Sequence, residues 1–218
     1  MILKKYYFLV LLPFMMVACH SEQENKEDKK EDKEEIVSIE QTNTYIADMF
    51  FVDQCYFDQG INYGDTASLQ KALNGDGKHP GFKKIIDQYS DTSAIVNACK
   101  YYAGVASLRL GKIDDAIKYL EDYDAKDYYT KSLTLMCLGD AYVEKGDNKK
   151  AIELYLTSAE TNPNEVTTPN ALFKAGICYL TLDQKDKATD CFVRIKKDYP
   201  MSQESQNIDT YINLAKTK

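Results

Sequence analysis

Thiols, imidazoles and paired carboxylates are the groups from which a chain would build a reactive site, and here they are scattered. Beyond Cys19, the cysteines Cys55, Cys99, Cys137, Cys178 and Cys191 form no C-x-x-C pair, so neither a zinc ribbon nor a thioredoxin-like motif is supported. An oxidising compartment would permit a disulfide and leave one of the five spare. Their setting in apolar helical stretches suits small buried hydrophobes. The histidines are His20, in a charged stretch, and His79, beside Pro80, and no nucleophile elbow or phosphate-binding glycine loop accompanies them. Asn74, Asp76 and His79 suggest a cation site, yet the acidic set and closing bidentate Glu of a calcium loop are missing, so a turn is expected instead. Asp114 and Asp115 fall at a helix start, where acids favour the positive end of the dipole. The expectation is a non-enzymatic chain with no cofactor and no metal.

Cys19 has a different setting. Lys4 and Lys5 precede an apolar run from Tyr6 to Ala18, too short to span hydrocarbon but suited to a secretory h-region. The run ends in Met16-Val17-Ala18-Cys19, which resembles the lipobox of bacterial lipoproteins, with Met16 in place of the usual Leu. The resemblance implies cleavage after residue 18 and acyl chains on Cys19, which anchor through about 0.8 kcal/mol per buried CH₂. An ordinary signal peptide cut near Ala18 is the alternative. From His20 to Glu35 there is no aliphatic residue, and eight acids stand against four lysines, so residues 19–38 are expected to form a charged flexible tether. Loss of the two leader lysines moves the net charge from −7 to −9, which argues against a nucleic-acid partner. The acids after Cys19 also resemble the surface-export signals of Bacteroidetes lipoproteins. The expected address is the bacterial cell envelope, the outer membrane in preference to the inner, facing periplasm or cell surface.

The elements that would position any site emerge from self-comparison. Residues 103–120, 138–155 and 175–192 align without gaps. Gly104, Gly139 and Gly176 are each followed after twelve residues by Ala116, Ala151 or Ala188, and after four more by Leu120, Tyr155 or Phe192. Successive offsets are 35 and 37 in all three columns. A Gly on one helix and an Ala on the next let two backbones approach closely, while the larger residue fills the gap beside them. Gly111 and Gly146 suit left-handed C-caps, Asp183 replaces Gly in the third unit, and Asp114 and Asp147 are candidate N-caps.

These columns, with Tyr142, Tyr179, Pro163 and Pro200, resemble the tetratricopeptide repeat, without its tryptophan. An earlier, diverged pair aligns Phe82, Ile85 and Tyr89 with Phe192, Ile195 and Tyr199. Its first helix is expected over Ile39 to Asp58, with a stripe of Tyr45, Met49, Val52 and Tyr56, and Ile46, Phe50 and Phe57 beside it. Ser202 and the stripe Ile208, Tyr211, Ile212, Ala215 predict a final capping helix. The fold expected is all-α: a tetratricopeptide-type right-handed helical solenoid of about four helix pairs plus a C-terminal cap. The expected divisions are a signal peptide (1–18), the tether (19–38), a diverged pair (39–92) with an inserted loop (59–80), three repeats (93–200) and the cap (201–218).

By this resemblance the first helices line a concave groove. Its positions are Tyr101, Val105, Leu108 and Arg109, then Met136, Asp140, Val143 and Glu144, then Phe173, Ile177, Leu180 and Thr181. The alternative is that the apolar members pack against neighbouring helices. The stretches ALNGDGKHPGFKKIIDQY and AYVEKGDNKKAI with the final DYP also resemble small envelope tetratricopeptide proteins of Bacteroidetes. Asp65-Thr66-Ala67 resembles the O-glycosylation sequence of exported Bacteroidetes proteins, which implies a sugar on Thr66; an Asp-capped turn explains it equally well. The reading is a lipid-anchored adaptor that holds a protein or peptide partner. A self-associating structural lipoprotein is the alternative. Carbohydrate uptake is a third, disfavoured by the short chain and absent tryptophan.

Overall fold

The structure is a computed structural model that describes residues 31–89 and 94–217, with side chains from Tyr45 onward. The expected signal peptide, Cys19 and the expected tether up to residue 30 lie outside the described residues. Among those described there is no strand. The helices are α1 (Glu31–Tyr63), α2 (Thr66–Asn74), α3 (Gly81–Gln88), α4 (Ala94–Arg109), α5 (Ile113–Asp122), α6 (Tyr128–Glu144), α7 (Asn148–Thr161), α8 (Thr167–Thr181), α9 (Lys185–Asp198) and α10 (Ile208–Lys216). Each packs chiefly on its neighbours in the chain, as in a solenoid. The first helices also touch one another, α4 with α6 and α6 with α8, while α5, α7 and α9 make no comparable contact among themselves. The stack therefore bends toward the layer of first helices.

The glycine columns are where the pairs close. A Cβ on Gly104 would lie 2.6 Å from Leu120 Cγ, and a Cβ on Gly139 or Gly176 would overlap the ring of Tyr155 or Phe192. Ala116, Ala151 and Ala188 are fully buried beside these contacts. The three intervening turns share one hydrogen-bond pattern. Lys112 N donates to Ser107 O (2.8 Å), Asp147 N to Tyr142 O (2.8 Å) and Gln184 N to Tyr179 O (2.8 Å). This pattern needs a left-handed residue, supplied by Gly111 (φ 72°), Gly146 (φ 86°) and Asp183 (φ 54°). Asp183 thus takes a conformation that costs a non-glycine residue roughly 1–2 kcal/mol.

Caps fix the other ends. Asp147 accepts from Lys150 N (3.0 Å) and Asp127 from Thr130 N (2.8 Å), while Asn164 accepts from Val166 N (2.9 Å) and Thr167 N (2.8 Å) at the head of α8. Asp114 is not an N-cap. Helix α5 begins at Ile113 after Lys112, so Asp114 stands inside the first turn and pairs with Lys145 of the next unit (2.9 Å). Ser202 accepts from Ser205 N (3.2 Å) and heads a short 3-10 turn, Glu204–Asn207, before α10. The cap then buries Ile208, Ile212 and Ala215, and Tyr211 meets Phe173 edge-on with ring centroids 4.8 Å apart.

The N-terminal pair differs from its sequence reading in three respects. Helix α1 begins at Glu31, inside the expected tether, and runs on to Tyr63. The expected inserted loop is largely helical: it contains the end of α1 and the whole of α2, which Asp65 caps by accepting from Ala67 N (3.0 Å) and Ser68 Oγ (2.6 Å). The buried stripe of α1 is Ile46, Met49, Asp53 and Phe57, so Tyr45 lies outside it, exposed by 59%. Phe82 and Ile85 of α3 are fully buried, as the alignment with Phe192 and Ile195 requires.

Gly139→Ala is expected to destabilise the protein by about 1–3 kcal/mol, because the ring it would displace is held at its hydroxyl by Asp140. Gly146→Ala meets open space and bears only the backbone penalty. Urea unfolding of the two variants checks the ranking.

Candidate functional site

Helices α4, α6 and α8 form the inner layer, and the twelve groove positions named from sequence all lie on them or at their ends. None is fully buried: Glu144 and Thr181 are exposed and the other ten are half-buried. The residues that close the pairs, such as Ala103, Leu138 and Ala175, point into the core instead.

Within that face the apolar members divide. Val105 and Leu108 pack against the core that holds Ile117, Leu120 and Leu138. Tyr101 lies 5.4 Å from Tyr123, ring to ring, and burial raises its phenol above the ordinary value. Phe173 is wedged against Phe192 and Tyr211, with centroids at 5.9 and 4.8 Å. Met136, Ile177 and Leu180 edge the C-terminal core while keeping part of their surface free.

The polar members are tied together. Asp140 accepts from Tyr155 Oη at 2.6 Å, and Lys174 Nζ reaches its two oxygens at 2.5 and 2.6 Å. The two charged side chains are only 16% and 23% exposed. A charge pair sheltered this way costs several kcal/mol to split, since the remaining charge would stay buried. Asp140 is thereby an inter-repeat clamp, and Glu144 is left as the exposed acid of the face. Arg109 and Lys174 both stand near Cys137, whose thiol burial pushes up to about 12, with Asp140 adding to the rise.

Burial also pushes up the other core thiols, Cys178 and Cys191 to about 11 and Cys99 further. All five described cysteines are free thiols, and Cys55 alone of them is exposed. The four sulfurs other than Cys55 are packing groups, held as thiols by burial.

The residues 74–81 make an ordered turn. Asp76 accepts from Lys78 N (2.8 Å), His79 N (2.7 Å) and Tyr56 Oη (2.9 Å), which holds its carboxyl well below the usual range. Asn74 instead turns back to Gln70, donating to its carbonyl at 3.1 Å. The three residues that suggested a cation do not converge, and no cluster of three or more His, Cys, Asp or Glu able to hold a metal occurs among the described residues.

Sequence reasoning missed Asp53. It is fully buried in the stripe of α1, and among the described residues neither carboxyl oxygen makes a hydrogen bond of good geometry, the Gly81 N–H offering only a weak one. Burial raises its pKa to about 7, with His79 opposing and Asp76 adding to the rise. Because the folded pKa exceeds the unfolded one, this residue's contribution is intact below about pH 4 and is lost as pH rises toward 7. Asp53→Asn is expected to gain roughly 2–4 kcal/mol on wild type between pH 4 and pH 8. Parallel urea titrations across that range read the difference.

With this geometry in place, comparison with known proteins identifies the repeats. Residues 137–165 and 170–202 each match a profile described as tetratricopeptide repeat. A tetratricopeptide-repeat-containing protein of Methanocaldococcus jannaschii is 34% identical over 100 residues, which is 46% of this chain and 17% of that protein. The chain thus spans about a sixth of the length of the curated relative it matches. The segments built on Gly139–Ala151–Tyr155 and Gly176–Ala188–Phe192 are the ones that match tetratricopeptide-repeat profiles, and the unit of Gly104, Ala116 and Leu120 repeats their geometry.

Proposed function

We propose that this protein is a non-enzymatic, lipid-anchored scaffold of the bacterial cell envelope that holds a protein or peptide partner on the inner face of α4, α6 and α8. Tetratricopeptide repeats support protein-protein interaction as the general role. The observation that carries the reading is the row of half-buried apolar side chains on that face, with Met136, Ile177 and Leu180 keeping free surface and Glu144 exposed beside them. Such a row supplies contact area for an extended or helical segment, and the fixed Asp140–Lys174 pair supplies polarity.

The anchor rests on the sequence: a lysine-led apolar run ending in Met16-Val17-Ala18-Cys19, followed by acidic, non-aliphatic chain. Outer-membrane attachment rests on the lipobox-like segment and on the acids after Cys19 that resemble a surface-export signal, and roles in assembly, secretion or quality control rest on the resemblance to envelope tetratricopeptide proteins. Thr66 is exposed at the start of α2, which suits the attachment of a glycan.

A photo-crosslinker placed at Leu180 in the native envelope is expected to capture a distinct polypeptide. Leu180→Asp is expected to cut crosslinks from a neighbouring probe at Ile177 by about tenfold without changing the helical circular dichroism. Capture of this chain's own copies only would turn the reading to self-association. Intact mass spectrometry of the native protein tests the modifications: a lipid increment absent from Cys19→Ser, and a glycan increment absent from Thr66→Ala.

A further inference from the structure

The two ends of the stack are closed differently. At the C-terminal end α10 turns Asp209, Thr210, Asn213 and Lys216 to water with Leu214 among them, a mainly polar side as a terminal cap has. At the other end α1 buries Ile46, Met49, Asp53 and Phe57 against α2, α3 and α4, and no other element among the described residues packs on its outer side. On that outer side Asp48, Phe51, Cys55 and Asp58 recur at spacings of three, four and three, which places them on one stripe, and all four are exposed. Phe51 shows 65% of its surface to solvent.

The stripe has uncompensated charge. No ion pair or hydrogen bond among the described residues engages Asp48 or Asp58, and the sequence contains neither Lys nor Arg from Glu34 to Gln70. Partial burial already raises the pKa of Asp58. A second copy is a poor occupant, because parallel pairing sets Asp48 against Asp48 and antiparallel pairing about residue 53 sets Asp48 against Asp58. The chain's own residues 20–30 carry four acids to three lysines and no aliphatic side chain, so they offer the stripe neither net positive charge nor an apolar contact, and an anionic lipid surface is repelled.

We propose that the outer stripe of α1 is a docking face for a cationic amphipathic helix of another polypeptide, which sets Lys or Arg against Asp48 and Asp58 and an apolar side chain against Phe51 and Cys55. The carboxylates stand roughly 15 Å apart along the helix at about 1.5 Å per residue, so two to three turns of a partner helix match them. The apolar centre supplies buried area, and the flanking acids fix register and reject acidic partners.

Fluorescence anisotropy of the full chain with a labelled Leu/Lys amphipathic peptide tests this, with a Leu/Glu peptide of the same pattern as counterpart. Wild type is expected to bind the cationic peptide and not the acidic one, and the affinity is expected to fall as salt rises. The double variant Asp48→Lys, Asp58→Lys is expected to lose about tenfold or more for the cationic peptide and to gain binding of the acidic one. That exchange of preference cannot come from unfolding. Phe51→Ser is expected to weaken both pairings, while Leu180→Asp on the inner face leaves them unchanged, which keeps this test separate from the groove reading. Equal binding of the cationic peptide by wild type and the double variant overturns the proposal. So does sedimentation showing a wild-type dimer that Phe51→Ser dissolves.

Discussion

The contact between a glycine on one helix and a large side chain on the next decides the spacing of everything else. Where Gly139 faces Tyr155 and Gly176 faces Phe192, no room remains for a single methyl group. The paired helices therefore meet at one depth, and the buried alanines Ala151 and Ala188 keep them there. Two turns nearer the start of α6, Ser132 and Ser158 exchange hydrogen bonds, Oγ to Oγ at 2.9 Å and Ser158 Oγ to Ser132 O at 2.8 Å, so these polar groups in the seam are satisfied at close range. A stack built from such pairs has little freedom to open pair by pair. Its curvature is set by which layer carries the closer helices.

That constraint also explains the character of the inner face. Tyr155 fills the space over Gly139 and its hydroxyl emerges to meet Asp140, which in turn holds Lys174 from the following repeat. Packing and charge pairing are thus two ends of one side chain. The face that results has fixed polar points and a margin of half-buried hydrophobic surface, a combination that can recognise a polypeptide without first being ordered by it.

Much of this was legible because the repeat columns use residue types with one physical meaning: Gly and Ala for close approach, Gly111 and Gly146 for left-handed turns, Asp147 for a cap. The inner-face positions rested on the resemblance to the tetratricopeptide repeat and not on helix period. The N-terminal pair was harder for a specific reason. Gly60 is closed by Leu69, only nine residues on, across a shorter turn than in the later units, and so falls outside the shared spacing. Asp53 lies where an apolar residue would be expected, which turned the sequence reading of α1 toward Tyr45, Val52 and Tyr56. Ties that span units, such as Asp140 to Lys174 or Phe173 to Tyr211, join residues more than thirty positions apart and leave no local trace in the chain.

The depth of the sulfurs has a consequence for how such a chain would mature. Cys99, Cys178 and Cys191 are buried and Cys137 nearly so, each with its thiol held protonated far above neutrality. Thiol exchange proceeds through the thiolate, so these groups would be poor substrates for disulfide-forming enzymes once the helices have stacked. In an oxidising compartment the fold would act as its own protecting group: early closure of the helix pairs preserves the reduced sulfurs, and slow closure exposes them to mispairing.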